Sequence, residues 1–353
     1  MTTLDDIAKR LGISKATVSK ALNGREDISE AMRKTIMETA IEMGYSRASR
    51  KEKNKQICVF TKDREDPYIR TLESEAEAKD SYAGVRESVD EAQESDLVLG
   101  FRQAAEPGGF RVREIPLSLA LQWLYSYDEF MMRNNYAGAF ITDIRFDGRW
   151  ADGLELSGTP AILYKSSAPM NSLVTAIGFD EYEGMNLAVS WLQDLGHEKI
   201  GYLSGSLDNS VYRERHSAFL LAMRENELDC PKGYTGVDIL SPESLELHFQ
   251  RLVDLNCTAL ICSDDFLAYD VMTQCKKRGL RIPEDISIIG IGDLPQSEST
   301  SPPLSSIRQD RKGLGKIAFL ALSGQLSGAH ANNITLHSEL IRRGSVGERD
   351  RDI

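Results

Sequence analysis

Apolar positions fall at helical spacing as far as Met43, and beyond Ile57 they gather into short, fully apolar runs separated by further helical stretches. Leu4, Ile7, Ala8 and Leu11 stand at i, i+3, i+4 and i+7, one face of a helix. Thr3 caps that helix, with Asp6 three residues on as a capping-box partner. Gly12 permits a sharp turn and Ile13 buries the corner. Ser14 caps a second helix in which Val18 and Leu22 line one side while Lys15, Ala16, Ser19 and Lys20 point elsewhere. An Asn23-Gly24 turn leads to a third helix, capped by Ser29, buried through Met32, Ile36, Ala40 and Met43, and stopped at Gly44. Three such helices close a minimal all-α core.

The remainder has a different rhythm. Ile57-Cys58-Val59-Phe60 predicts a buried strand, and after an acidic stretch over 62–96 helical spacing returns through Tyr82, Val85, Val89 and Ala92. Residues 104–114 carry turn chemistry with at most a short strand. From Tyr136 on, apolar runs at 138–142, 160–164, 200–204, 259–262 and 286–290 alternate with helices that include 184–195 and 213–225. Strands buried on both faces read this way, and the βαβα order predicts parallel sheets with helices on either side, arranged as two lobes. In such sheets ligands bind at the carboxyl ends of the strands, so the cleft between lobes is the expected small-molecule site. The fold class is therefore α/β, a three-helix head on a two-lobed body. The expected boundaries are 1–46 for the head, 47–56 for a basic linker and 57–353 for the body.

Composition narrows the classes. At about 150 residues per domain, 353 residues suggest two or three domains. No run approaches the roughly 18 apolar residues of a membrane span, and Met1-Thr2-Thr3-Leu4-Asp5-Asp6 lacks the order of a secretory signal. Five cysteines without a metal-site spacing predict no zinc and no disulfide framework, and hence a cytoplasmic protein. The net charge of −12 hides an asymmetry, because residues 1–56 hold 12 Lys/Arg against 8 Asp/Glu. That is +4, which leaves −16 for the rest and sets a basic head on an acidic body.

A short helix, a glycine turn and a second short helix with small polar and basic side chains form a helix-turn-helix, whose second helix enters the major groove N-terminus first. Lys15 and Ala16 then face base edges, since lysine suits guanine acceptors and the alanine methyl suits the thymine methyl. Thr17, Ser19, Asn23 and Ser29 carry the short polar groups that fix phosphates, Lys20 serves either purpose, and Ser14 and Ser29 serve equally as plain caps. The run from Thr3 to Asn23 (TLDDIAKRLGISKATVSKALN) resembles the N-terminal signature of the LacI/GalR family of transcriptional regulators. The likeness continues in Leu195-Gly-His-Glu-Lys-Ile200, Arg213 and Arg215, Ser263-Asp-Asp-Phe-Leu-Ala268, 279–290 and Pro302-Pro-Leu-Ser-Ser-Ile307.

The resemblance implies a regulator, most often a repressor, in which a homodimer binds a near-palindromic operator. It also implies that a small molecule held in a periplasmic-binding-protein-like body changes DNA affinity. Thr3 and Leu4 open the DNA-facing helix pair, and Arg47 and Arg50 of the basic linker add phosphate contacts. Arg215 matches the arginine that grips the effector, Asp264 takes the polar position at a strand end, and Gln309 lies on a lobe crossover. Asp143 and Tyr164 fall at strand ends facing the same cleft, with Lys165 beside them. No cofactor is implied.

Two departures bear on mechanism. The leucine that wedges into the minor groove from the family's hinge helix is missing from 46–56, which favours a looser, phosphate-driven tether. Gly292 stands where members that bind sugars or purines commonly have an aspartate, and the loss of that carboxylate argues against a conventional sugar held there. Of the effector classes implied (a sugar, a phosphorylated sugar or another metabolite), this leaves an anionic effector, a phosphorylated sugar gripped by Arg215 and Lys165, or none, with a degenerate cleft answering to a partner protein as the alternative. An enzyme on the same body is a third class, but Gly290-Ile-Gly292 lacks the third glycine of a dinucleotide loop and Gly313-Leu-Gly315-Lys316 lacks the Walker spacing. No histidine lies in a nucleophile pattern, and His197 reads as a structural helix-end residue.

Overall fold

The computed structural model describes residues 2–22, 27–43, 45, 55–66, 83–142, 149–165 and 169–349, the side chains of Glu30, Ile41, 83–90, Arg149, Ala151 and Asp152 excepted. It divides into two compact units. One comprises Met1–Thr71, Glu91–Gly178 and Arg311–Ile334; the other comprises Leu72–Asp90, Phe179–Asp310 and Thr335–Ile353.

Three helices open the chain: α1 (Leu4–Leu11), α2 (Lys15–Leu22) and α3 (Glu30–Glu42). Thr3 and Asp6 cap α1 reciprocally, and Gly12 ends it in the left-handed region at φ 66°. A β-carbon would strain that backbone, so glycine is required at this turn. Ser14 caps α2 through the Thr17 amide at 3.0 Å. Ile7, Ala8, Val18, Ala21, Leu22, Ile36, Met37 and Ala40 form the core. Met32, expected inside, is exposed, and Met37 takes its place. Position 37 lies one residue past Ile36 and five past Met32, so the buried arc of α3 is rotated from the one the sequence suggested.

The first sheet runs β11-β5-β4-β3-β1-β2 and the second β12-β10-β9-β8-β6-β7. In the first, β1 (Gln56–Lys62) lies parallel to both β2 (Arg111–Leu117) and β3 (Ala139–Ile141), and β4 (Ala161–Tyr164) lies parallel to β3 and to β5 (Val174–Phe179). The expected runs at 138–142 and 160–164 thus become β3 and β4. Between β1 and β2 comes α4 (Ala83–Ala105), followed further on by α5 (Leu119–Leu124), α6 (Tyr127–Arg133) and α7 (Arg149–Glu155). Tyr127, Met131 and Trp150 pack against this sheet, in one core cluster with Phe60 of β1.

The second sheet is built from β6 (Ile200–Leu203), β7 (Thr235–Gly236), β8 (Ala259–Cys262), β9 (Ser287–Gly292) and β10 (Ser305–Arg308), parallel where they pair. The sheet edge β12 (Glu339–Ile341) joins β10 antiparallel, and β11 (Asn333–Leu336) is the edge of the first sheet. Helices α8 (Glu181–Asp194), α9 (Ser210–Glu225), α10 (Pro242–Asp254) and α11 (Asp265–Arg278) alternate with these strands, and α12 (Arg311–Leu326) returns to the first unit. There α12 meets α4 almost backbone to backbone: a β-carbon at Gly315 would stand 2.1 Å from the Leu97 carbonyl oxygen, and one at Gly100 2.0 Å from that of Lys312.

In each sheet the chain lays β7 or β2 on one side of the first strand and β8 or β3 on the other. Strand order reverses there, which opens a crevice at the carboxyl ends of β6 and β8 and of β1 and β3. Among the described residues no helix is long and apolar enough to cross a membrane.

Candidate functional site

At the head, the N-terminal turn of α2 presents Lys15 and Ala16 exposed and Thr17 and Ser19 half-buried, while Val18 is buried on the opposite side. Lys15 donates to Asp5 of α1 at 2.6 Å, and Lys20 to Asp27 at 2.5 Å, all four side chains about half exposed. Exposed pairs of this kind hold about 0–1 kcal/mol, so either lysine is readily released to another acceptor. Thr3 and Ser29 are exposed at helix starts, and Leu4 is partly buried against the head core. The Ser29 hydroxyl accepts from the Met32 amide at 3.4 Å. The Thr3 hydroxyl and amide hold the Asp6 carboxyl below its ordinary range. Asn23, Arg47 and Arg50 lie outside the described residues, as does the rest of the linker through Asn54.

In the second unit, the carboxyl ends of β6 and β8 meet the starts of α8, α9 and α11. Arg215, on the first turns of α9, is only 4% exposed. Its Nε donates to Glu181 Oε2 at 2.9 Å, Nη1 to the Ser263 carbonyl at 2.6 Å, and Nη2 to Gln309 Oε1 at 3.0 Å and Glu181 Oε1 at 3.4 Å. The Gln309 amide donates in turn to Glu181 Oε1 at 3.0 Å. Burial pushes the pKa of the Arg215 guanidinium down, but the Glu181 carboxylate outweighs this and raises it above its ordinary range. Arg215 and Gln309, singled out in sequence, are therefore brought together, and Glu181, which the sequence did not single out, joins them.

Asp264 caps α11 through the Leu267 amide at 2.9 Å and accepts from the Ser263 hydroxyl at 3.2 Å. Its neighbour Asp265 is the buried one. Asp265 accepts from the Ser306 hydroxyl at 2.6 Å, the Leu294 amide at 2.7 Å and the Ser297 hydroxyl at 3.1 Å. Burial nevertheless lifts its carboxyl to about 6. A β-carbon at Gly290 would stand 2.2 Å from Asp265 Oδ1, so glycine there makes room for the carboxylate. Gly292 adopts φ 135°, and the following Asp293 turns away to Arg308 and Arg343, both at 2.6 Å.

In the first unit, Tyr164 ends β4 with 6% exposure, and its hydroxyl has no hydrogen-bond partner among the described residues. Lys165 is exposed, at φ 52°, with its ammonium 5.1 Å from the Tyr164 ring centre. Asp143 lies outside the described residues. Glu94 of α4, unremarked within the acidic run, accepts from the Lys62 amide at 3.0 Å and from the Thr142 hydroxyl, and so ties together the ends of β1 and β3. His197 is buried between Thr258 and the Gly347 carbonyl, and burial holds it below its ordinary range. Among the described residues no group of three or more His, Cys, Asp or Glu side chains is placed to hold a metal.

Comparison with known proteins bears on both parts. The family described as bacterial regulatory proteins of the lacI family matches residues 3–48, over the capped helix pair, and a periplasmic binding protein-like domain matches 189–346, which takes in Arg215, Ser263 and Gln309 but not Glu181. The chain thus joins a lacI-family helix-turn-helix domain to a periplasmic binding protein-like domain. Relatives similar over nearly the whole length include the HTH-type transcriptional repressor CytR of Escherichia coli (strain K12), 26% identical across 98% of this chain and 96% of that protein. The HTH-type transcriptional repressor PurR of Mannheimia succiniciproducens is 25% identical across 98% of this chain and 99% of its own. In fold, the lac repressor dimer bound to operator and the anti-inducer ONPF superposes with a TM-score of 0.62 at 20% identity, covering 98% of this chain and 99% of that one. The transcriptional regulator CelR in complex with cellobiose gives 0.61 at 18% identity over 98% and 100%. The chain is a DNA-binding transcriptional regulator, with a lacI-family helix-turn-helix at the N-terminus and an α/β body of two parallel sheets.

Proposed function

We propose that the chain represses transcription from the cytoplasm as a homodimer, its two heads (residues 1–46) reading the halves of a near-palindromic operator through a basic linker (47–56). A small-molecule effector taken by the body (57–353) then alters operator affinity, and no catalysis or cofactor is involved. The observation that carries this reading is the exposed start of α2, with Lys15 and Ala16 outward and Val18 inward, inside the segment that matches the lacI family. One head of this size offers too few base and phosphate contacts for tight specific binding, which is the physical reason for two. In this reading Lys15 and Ala16 meet base edges, while Thr3, Leu4, Ser14, Thr17, Ser19, Lys20, Asn23, Ser29, Arg47 and Arg50 set the head on the backbone.

The body reads its effector at strand ends, through Arg215, Asp264 and Gln309 in one unit and Asp143, Tyr164 and Lys165 in the other. The Arg215 network supports this, because it stands at the strand-order reversal where α/β sheets place ligands. The effector acts by binding the operator-competent and operator-incompetent states unequally. Binding isotherms on a recovered operator and on its isolated half-site test the dimer: much tighter binding to the full site supports it, and equal affinities refute it. A metabolite that both raises the melting temperature and changes operator affinity supports the effector reading. Failure of every metabolite of the neighbouring genes to do either refutes it.

A further inference from the structure

An arginine at a ligand-binding strand end ordinarily meets its anion from solution; here the chain already supplies one. The Glu181 carboxylate is forked onto the Arg215 guanidinium at 2.9 and 3.4 Å, and the other donors of Arg215 go to the Ser263 carbonyl and Gln309. Glu181 also accepts from the Gln309 amide, whose oxygen in turn accepts from Arg215. Arg215 is 5% exposed at its side chain against 16% for Glu181, so the carboxylate is the more accessible partner. An open groove of about 650 Å³ runs alongside, and its walls carry Asp180, Glu181 and Glu214 together with Arg213. An anion in that groove faces three carboxylates against the one guanidinium of Arg213, and reaching Arg215 would require it to expel a tethered, doubly bonded carboxylate.

We propose that Glu181 is a specificity determinant, a carboxylate ligand of Arg215 supplied by the chain itself, which bars anionic effectors from this guanidinium. The proposal rests on the effector reading and sharpens it, because a phosphorylated sugar or carboxylate metabolite gripped by Arg215 is excluded. The effector admitted at these strand ends carries no negative charge on the group that meets Arg215, and it takes its polar contacts from the already paired Arg215–Glu181–Gln309 surface.

The test uses the full chain, with acetate and inorganic phosphate as probes against chloride at matched ionic strength. In the wild type neither probe raises the melting temperature above chloride. Glu181→Ala opens a carboxylate-sized gap over Arg215, so acetate stabilises it saturably, at a midpoint at least about tenfold below any wild-type response, and the further change Arg215→Met abolishes the effect. Should Glu181→Ala not fold, Glu181→Gln keeps the shape without the charge, and inorganic phosphate then stabilises that variant and not the wild type. Saturable stabilisation of the wild type by either probe, lost in Arg215→Met, would overturn the proposal, as would a folded Glu181 variant that answers neither probe. None of these readings involves DNA or the effector. A failure of the effector reading, in which no metabolite alters operator binding, is therefore a separate result.

Discussion

Arg215→Met is the perturbation with the largest consequence the structure lets one work out. The guanidinium is 4% exposed and forms hydrogen bonds to Glu181, Ser263 and Gln309. Removing it takes the cation from a carboxylate whose side chain is only 16% exposed, leaves the Gln309 amide donating to that carboxylate, and takes the guanidinium donor from the Ser263 carbonyl. Breaking one side of a buried pair costs about 3–5 kcal/mol, because a charge is left uncompensated. Glu181→Gln alone leaves the cation with neutral acceptors and costs about 2–4 kcal/mol by the same reasoning. The double variant strands neither charge, so its cost falls short of the sum by about 2 kcal/mol. Native-state hydrogen exchange at the amides of β6 and β8, followed in urea, reads the stability of this unit directly. Additivity of the two changes within about 0.5 kcal/mol would refute the buried coupling and the description of Glu181 as the internal ligand of Arg215.

Other consequences follow from single residues. Ser14→Ala deletes the cap on α2 and should destabilise the head by about 1 kcal/mol, seen as faster exchange of the Thr17 amide; an unchanged rate would mean the cap contributes nothing. Gly315→Ala forces a methyl against the Leu97 carbonyl and should lower the stability of the first unit by roughly 3 kcal/mol in urea, whereas a neutral result would deny the close approach of α4 and α12. Asp265 has a folded value of about 6 against 3.8, so its contribution to stability is fullest below 3.8 and is lost as pH rises through about 6. The change is on the order of 3 kcal/mol, and Asp265→Asn should flatten the pH dependence of second-unit unfolding across that window. A slope identical to wild type would contradict it.

What the sequence revealed was local. The capped helix pair is written in Thr3, Asp6, Gly12 and Ser14, each of which acts within three or four residues, and the central strands are written in unbroken apolar runs. β2 showed in the sequence only as a possible short strand within the turn chemistry of 104–114, because Arg-Val-Arg-Glu-Ile-Pro-Leu is an edge strand, mostly exposed and with no apolar run to mark it. The buried arc of α3 was misplaced because Met32, Ile36, Met37 and Ala40 fit two overlapping stripes, and only packing against α1 and α2 chooses between them. The site divided in the same way. Arg215, Asp264 and Gln309 were visible through family likeness, whereas Glu181 sits 34 positions from Arg215 and 128 from Gln309, a pairing no local pattern records. Asp264 and Asp265 are adjacent and identical in type, and only the fold shows that the first caps a helix while the second is buried under Gly290.

The central claim is sequence-specific DNA binding through the start of α2. Its most direct test is to incubate the purified chain with fragments of its own genome, recover and sequence what is retained, and repeat with Lys15→Ala. The account predicts a recurrent near-palindrome with the wild type, lost or altered at one position in each half-site with the variant. Retention of fragments that share no motif, or a motif unchanged by Lys15→Ala, would contradict it.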